Sequence, residues 1–282
     1  MSLHLDTILC ICKFLSEKET VRLSTTSKYF LTVPHNVWFD QPVQIKKIKN
    51  TTYFDRFRNV ILCNTDTCVP KCAIRVVTDD FFNTSIERLM PPSVTHITFG
   101  HRFNQSVEGH IPASVTHLTF GYGFNQHIYD SIPDSVTHLT FGHCFSKQIR
   151  ANVKRSTDES FERFIPNSVT HLVLGNGFND FVDEGTIPPF VTHLTFGDGF
   201  CRPFYGKNCI PSSVTHLTFG SRFNQPIEGH VPPSVVYISF GYWFRQLINS
   251  LPDSVQQIYL CINYICPIDY RISQKVFYHN AS

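Results

Sequence analysis

Residues 115–121 read VTHLTFG, and residues 136–142, 191–197 and 214–220 read VTHLTFG again. Variants stand at 94–100 (VTHITFG), 169–175 (VTHLVLG) and 235–241 (VVYISFG). A catalytic site is not written many times over in one chain, whereas a structural unit is, so the first inference is a repeat architecture. Aligned on the proline ahead of each copy, the units begin at Pro91, Pro112, Pro133, Pro166, Pro188, Pro211, Pro232 and Pro252. Their spacing runs from 20 to 23 residues, except for one of 33 that holds an insertion at about 146–164.

Within a copy, the Val, Leu and Phe of V-x-x-L-x-F alternate at its end, as in Leu118-Thr119-Phe120. Alternation over so few residues predicts a short strand rather than a helix. Gly follows at 100, 121, 142, 175, 197, 220 and 241, where a sharp turn with no room for a Cβ is expected. A second aromatic then returns to the core at Phe103, Phe124, Phe145, Phe178, Phe200, Phe223, Phe244 and Tyr264. The Ile-Pro opening each copy is extended and helix-breaking. One unit cannot bury its apolar side alone, so Ile111, Val115, Leu118, Phe120, Phe124 and Ile128 must meet counterparts above and below. Each such side chain contributes about 1.5–3 kcal/mol when fully buried, opposed by ordering costs of similar total size. The result is a parallel β-solenoid of about eight ~21-residue units, stabilised mostly between nearest neighbours. At about 4.8 Å per strand it would run for about 35–40 Å. The eighth copy, with Cys261 in the Gly place and Ile265 in the Asn place, reads as a terminal cap.

The V-x-x-L-x-F spacing resembles the core of leucine-rich repeats. More specifically, F-N-Q-x-I followed by I-P-x-S-V-T-H-L-T-F-G resembles the FNIP repeat, a leucine-rich-repeat relative of amoebae and their giant viruses. Asn104-Gln105, Asn125-Gln126 and Asn224-Gln225-Pro226-Ile227 carry the match most fully. The resemblance implies a right-handed horseshoe with its strands on the concave face. Ser146, Cys201 and Arg245 replace the Asn, so a continuous asparagine ladder is expected to be interrupted.

The N-terminal segment has a different texture. Leu5, Ile8, Leu9, Cys12 and Leu15 follow helical spacing, and Ser16-Glu17-Lys18-Glu19 is a capping box opening a second helix through about Phe30. With TSKYF at Thr26–Phe30 and Trp38 beyond Pro34, the segment resembles an F-box, although Leu3-His4-Leu5-Asp6 lacks that family's usual Leu-Pro pair. The resemblance implies that Leu5, Ile8, Leu9, Leu15, Leu23 and Trp38 dock onto the Skp-type adaptor of a cullin–RING ubiquitin ligase. The predicted organisation is an F-box-like α-helical module at 1–40, a linker with degenerate capping strands at 41–89, the solenoid at 90–272 and a tail at 273–282. Asn59–Asn64 and Ala73–Thr78 are the strands expected to cover the solenoid edge.

The net charge of +2 gives no basis for a nucleic-acid or acidic-membrane partner, and 42% hydrophobic against 16% charged residues is enough apolar material for a core. No run of 18 apolar residues suggests a membrane span. Met1–Leu15 lacks a basic start and is interrupted by Asp6 and Lys13, a poor signal peptide. The ten cysteines are therefore expected as free thiols in an intracellular, cytoplasmic setting. Cys63, Cys68 and Cys72 lack the C-x-x-C pairing of structural zinc sites. No phosphate loop, nucleophile elbow or metalloprotease helix occurs, so neither an enzyme nor a cofactor or metal is expected.

Two sets of positions remain. His96, His117, His138, His171, His193 and His216, continued by Tyr237 and Gln257, should project from the face opposite Val, Leu and Phe. Stacked about 4.8 Å apart, neighbouring imidazoles suggest a metal site. Identical ligands without carboxylate or thiol define no coordination shell, so a register ladder of neutral, low-titrating imidazoles is expected instead. The pairs after each Gly differ freely, and Arg102, Tyr122, Arg222, Tyr242 and Trp243 among them suit a partner surface. Drift between duplicated copies is the other reading. Together these features suggest a non-catalytic substrate-recognition subunit of a Skp–cullin–F-box type ligase that holds an unknown protein target. The alternative is a scaffold solenoid with no ligase link.

Overall fold

The computed structural model describes residues 38–51, 54–149 and 164–280. Seven strands begin at the third residue of a VTHLTFG copy or variant: β4 (His96–Thr98), β5 (His117–Thr119), β6 (His138–Thr140), β7 (His171–Val173), β8 (His193–Phe196), β9 (His216–Phe219) and β10 (Tyr237–Ser239). Ahead of them lie β1 (Val43–Gln44), β2 (Asn59–Leu62) and β3 (Arg75–Thr78), and after them β11 (Gln257–Cys261) and β12 (Val276–His279). All twelve form one sheet in which each strand pairs with the next in sequence, always in parallel, as β5 does with β6 and β11 with β12. The register sets like against like: His117 faces His138, Leu118 faces Leu139 and Thr119 faces Thr140.

The core follows from that register. Val115, Leu118, Phe120 and Phe124 are buried, while His117 and Thr119 between them are only half-buried. Where a unit has two phenylalanines they stack on one another, with centroids 3.8 Å apart for Phe120 and Phe124 and 3.9 Å for Phe141 and Phe145. Across units the two rows continue at 5.6 Å (Phe120 to Phe141) and 6.3 Å (Phe124 to Phe145). Beside them, from Ser114 onward each Ser before the Val donates to the carbonyl of the preceding unit's Val, as from Ser135 to Val115 at 2.7 Å. These repeated contacts between adjacent units are what a nearest-neighbour solenoid requires.

The glycine column opens a turn, with the Phe124 N–H donating back to the Gly121 carbonyl, and it has no room for a Cβ, as expected. A Cβ on Gly121 would lie 2.0 Å from the carbonyl oxygen of Gly100, and one on Gly142 1.8 Å from that of Gly121. The backbones of successive units touch there, which only glycine permits. Left-handed conformations occur elsewhere, just ahead of the next proline, at Gly109, Gly185 and Gly229 and at Asp130 without glycine.

The parallel solenoid stands as expected, with twelve strands in place of about eight units. The difference lies at both ends, where apolar alternation persists without the consensus. Val60 and Leu62 in β2 and Val76 in β3 are buried, and Arg75 pairs with His96 and with Asn59. Residues 59–62 and 75–78 thus lie within the ladder, and β12 places 276–279 in it too, so the Cys261 copy is not terminal. Phe39 also joins, bridging Phe57 with rings 4.7 Å apart. β6 pairs directly with β7, His138 facing His171, so the insertion near 146–164 leaves the ladder unbroken. The two helices expected through about Phe30, with Leu5, Ile8, Leu9, Leu15 and Leu23, lie outside the described residues.

Candidate recognition surface

The face opposite the core carries the histidine column. From His96 to His216 the five successive imidazole pairs have centroids 4.1–4.3 Å apart and planes inclined by only 10–14°. Tyr237 continues the stack 5.6 Å from His216. The Thr before each His fixes the ring: the Thr116 hydroxyl lies 2.9 Å from His117 Nδ1 and 3.2 Å from the Thr95 carbonyl oxygen. Every unit of the column repeats this bridge, as at Thr192 and His193 (3.0 Å). Burial holds His96, His117, His171 and His193 below the usual imidazole range, and the charges of neighbouring imidazoles push the same way. Arg75 adds to this at His96 and His117. Rings so nearly parallel aim their in-plane lone pairs alongside one another, whereas a tetrahedral metal needs ligands that converge. Among the described residues no three His, Cys, Asp or Glu side chains are grouped to hold a metal.

Two of the three neighbouring cysteines, Cys63 and Cys72, have their thiols pushed up by their surroundings. Burial, reinforced by the Asp79 carboxylate, pushes the Cys63 thiol up to about 11. Burial also raises Cys72. No helix among the described residues is long and apolar enough to cross a membrane.

The residues after each glycine form two aligned rows along the sheet's edge. The second residue of all but the Gly199 pair donates its N–H to the carbonyl of the first residue one unit earlier, as from Cys144 to Tyr122 (2.8 Å) and from Trp243 to Ser221 (2.9 Å). The five candidates therefore divide between two ends. Towards the N-terminal side, Arg102 lies over the Phe81 ring at 4.8 Å. Tyr122 stacks on His143 at 4.5 Å, 4° from parallel. At the other end Tyr242 meets Trp243 edge-on at 4.9 Å, and Arg222 is exposed one unit earlier. Between them the second row holds Gly177 and Gly199, and the first holds Asn176 bonded to Asp198 at 2.9 Å. Donors from Ser221 and Asn176 hold the Asp198 carboxyl below the usual range.

Asp80 and Phe81 belong to this edge and were not among the candidates. Asp80 pairs with His101 at 2.6 Å, and Phe81 is 62% exposed. Their signal is the same offset after β3 that the other pairs have after their strands, hidden because Asp79 stands where the others have Gly. The expected asparagine ladder exists in pieces. The Asn104 and Asn125 N–H groups donate to the Asn83 and Asn104 side chains at 2.9 Å, and the run ends at Ser146. Trp38, the one adaptor candidate among the described residues, lies under the Arg58 guanidinium at 4.8 Å.

The FNIP Repeat family model matches residues 82–123, 103–144, 124–153, 160–199, 205–243 and 223–262, more than half of the chain. Comparison with curated proteins gives no match. Among solved structures the chain is similar to one described as "The crystal structure of CroV588 a novel circular LRR protein structure", with 34% identity and a TM-score of 0.68. The likeness covers 80% of this chain and 34% of that one, so this chain spans about a third of its length.

Proposed function

The chain belongs to the FNIP repeat family, and from that premise we propose that its solenoid holds a protein target along the post-glycine edge. The observation that carries this reading is the contrast between a uniform ladder and its edge. Thr, His, Leu and Phe recur from unit to unit, while the pair of residues after each glycine, at least one of them exposed in every unit, changes in size, charge and aromaticity. Arg, Tyr and Trp at such positions supply most of the energy at protein interfaces. We further propose that the chain serves as the target-holding subunit of a Skp–cullin–F-box type ubiquitin ligase. In that role it would act by proximity, raising the target's effective concentration near a recruited ligase, and needs no catalytic residue of its own.

A scaffold solenoid without a ligase link is the second reading, and the Trp38 geometry favours it, because that ring is engaged by Arg58 of the first turns. Co-purification with a Skp-type adaptor separates the two. The ligase reading expects capture by the wild-type chain and loss on Leu5→Ala with Ile8→Ala. Absence of adaptor from the wild-type complex leaves the scaffold.

A further inference from the structure

The outward face of the sheet has a charge pattern that the interaction reading does not use. One outward row runs through Arg75, the six histidines, Tyr237 and Gln257, and the next through Val77, Thr98, Thr119, Thr140, Val173, Thr195, Thr218, Ser239 and Tyr259. Neither row contains a carboxylate. The charged groups acting on His96, His117, His171 and His193 are Arg75 and the other imidazoles. Whatever charge this face gains is therefore positive, and nothing on the face neutralises it.

We propose that the outward face of strands β4 to β9 binds an extended acidic polypeptide segment, engaging it as the histidine column takes up protons below neutral pH. Five strand steps make the column about 24 Å long, room for about seven extended residues. Stacking at 4.1–4.3 Å opposes charge on adjacent rings, so the bare column fills with protons slowly as the pH falls. Carboxylates laid along it remove that repulsion, and each Nε2 edge gains a charge-assisted acceptor. Binding and protonation then support one another, and affinity rises as the pH falls.

Carboxylates suit this face better than nucleic acid. Single-stranded nucleic acid stacks its bases on open aromatic faces, and here the ring faces cover each other, leaving only edges outward. The inference rests on the solenoid being a binding module but not on the post-glycine edge, so either can fail alone.

The test is fluorescence anisotropy of a labelled oligo-aspartate of about eight residues with the full chain, near pH 7.5 and near pH 5.5 at one low ionic strength. The expected result is binding roughly tenfold tighter at the lower pH, with that gain lost in His117→Gln with His171→Gln. Glutamine is suited to the column, since Gln257 already occupies it. His101→Gln, which alters a histidine paired with Asp80 off the column, should keep the gain. Equal affinity at both pH values, or a gain retained in the double variant, overturns the proposal, as does tighter binding of an oligothymidylate of the same length. If the double variant does not fold, NMR titration of the wild-type imidazoles decides. The peptide must raise their midpoints, and unmoved midpoints refute it.

Discussion

The imidazoles of His117 and His138 stack with centroids 4.1 Å apart and planes 14° from parallel. Two rings held so closely are stable together as neutral groups and repel when both are charged. Burial and these neighbours place His96, His117, His171 and His193 below the ordinary value of 6.5. Between the folded and unfolded values the unfolded chain binds more protons, so stability falls as the pH drops through that window. The loss is complete below the folded values. Thermal melts from pH 7.5 to 5 should show a falling midpoint, and His117→Gln with His171→Gln should flatten that slope. A wild-type midpoint independent of pH would contradict the stacking account.

The glycine column predicts a sharp contrast between two kinds of glycine. Gly142→Ala forces its methyl into the Gly121 carbonyl oxygen, 1.8 Å from the ideal Cβ, and should cost about 3 kcal/mol or more, because the backbones must part. Gly109 has a positive φ and open space around it, so Gly109→Ala should cost only about 1–2 kcal/mol of backbone strain. Denaturant melts of both variants measure the difference directly.

Phe190 stands where most units have the bonding serine and is 62% exposed. Ser168 and Ser213 in the flanking units each donate at 2.7 Å to the preceding Val carbonyl. Phe190→Ser should supply the same bond to the Val169 carbonyl and stabilise the chain by about 0.5–1.5 kcal/mol. A raised melting midpoint is expected, and a lowered one would mean that the exposed ring is held by a contact of its own.

Phe124 sits in the middle of the inner aromatic row, touching Phe120 at 3.8 Å and Phe103 at 6.1 Å. Phe124→Ala should cost about 3–5 kcal/mol, while Tyr122→Ala, two residues away and 51% exposed, should stay within about 0.5 kcal/mol. Comparing the two separates stability from recognition at neighbouring positions.

The legible part of this fold was the part that repeats. VTHLTFG and its variants located β4 to β9 as short strands, named the buried Val, Leu and Phe, and placed His and Thr together on the other face. The turns that keep the physics and lose the spelling were harder to read. β2 (NVIL) and β3 (RVVT) bury alternate side chains without His, Thr or Gly at the consensus places, so Asn59–Asn64 and Ala73–Thr78 were legible as capping strands but not as full rungs of the ladder. β12 (VFYH) extends the sheet though its segment lacks the proline and serine that mark a unit. At the edge, the residue types of Arg102, Tyr122, Arg222, Tyr242 and Trp243 were readable, but not their division into two clusters. That division follows from which units are neighbours and from the small residues Gly177 and Gly199 lying between. The turn and the lack of room at the glycines were legible, but not that the backbone of the preceding unit is what fills that room.

The central claim is that the post-glycine edge holds a protein target. The most direct measurement is quantitative affinity capture from one lysate, comparing the wild-type chain with Arg222→Ala/Trp243→Ala and with Arg102→Ala/Tyr122→Ala, each checked for an unchanged melting midpoint. The account predicts that a defined protein is retained by the wild type and reduced at least about tenfold by one or both pairs. Capture of the same proteins in the same yield by all three chains would contradict it.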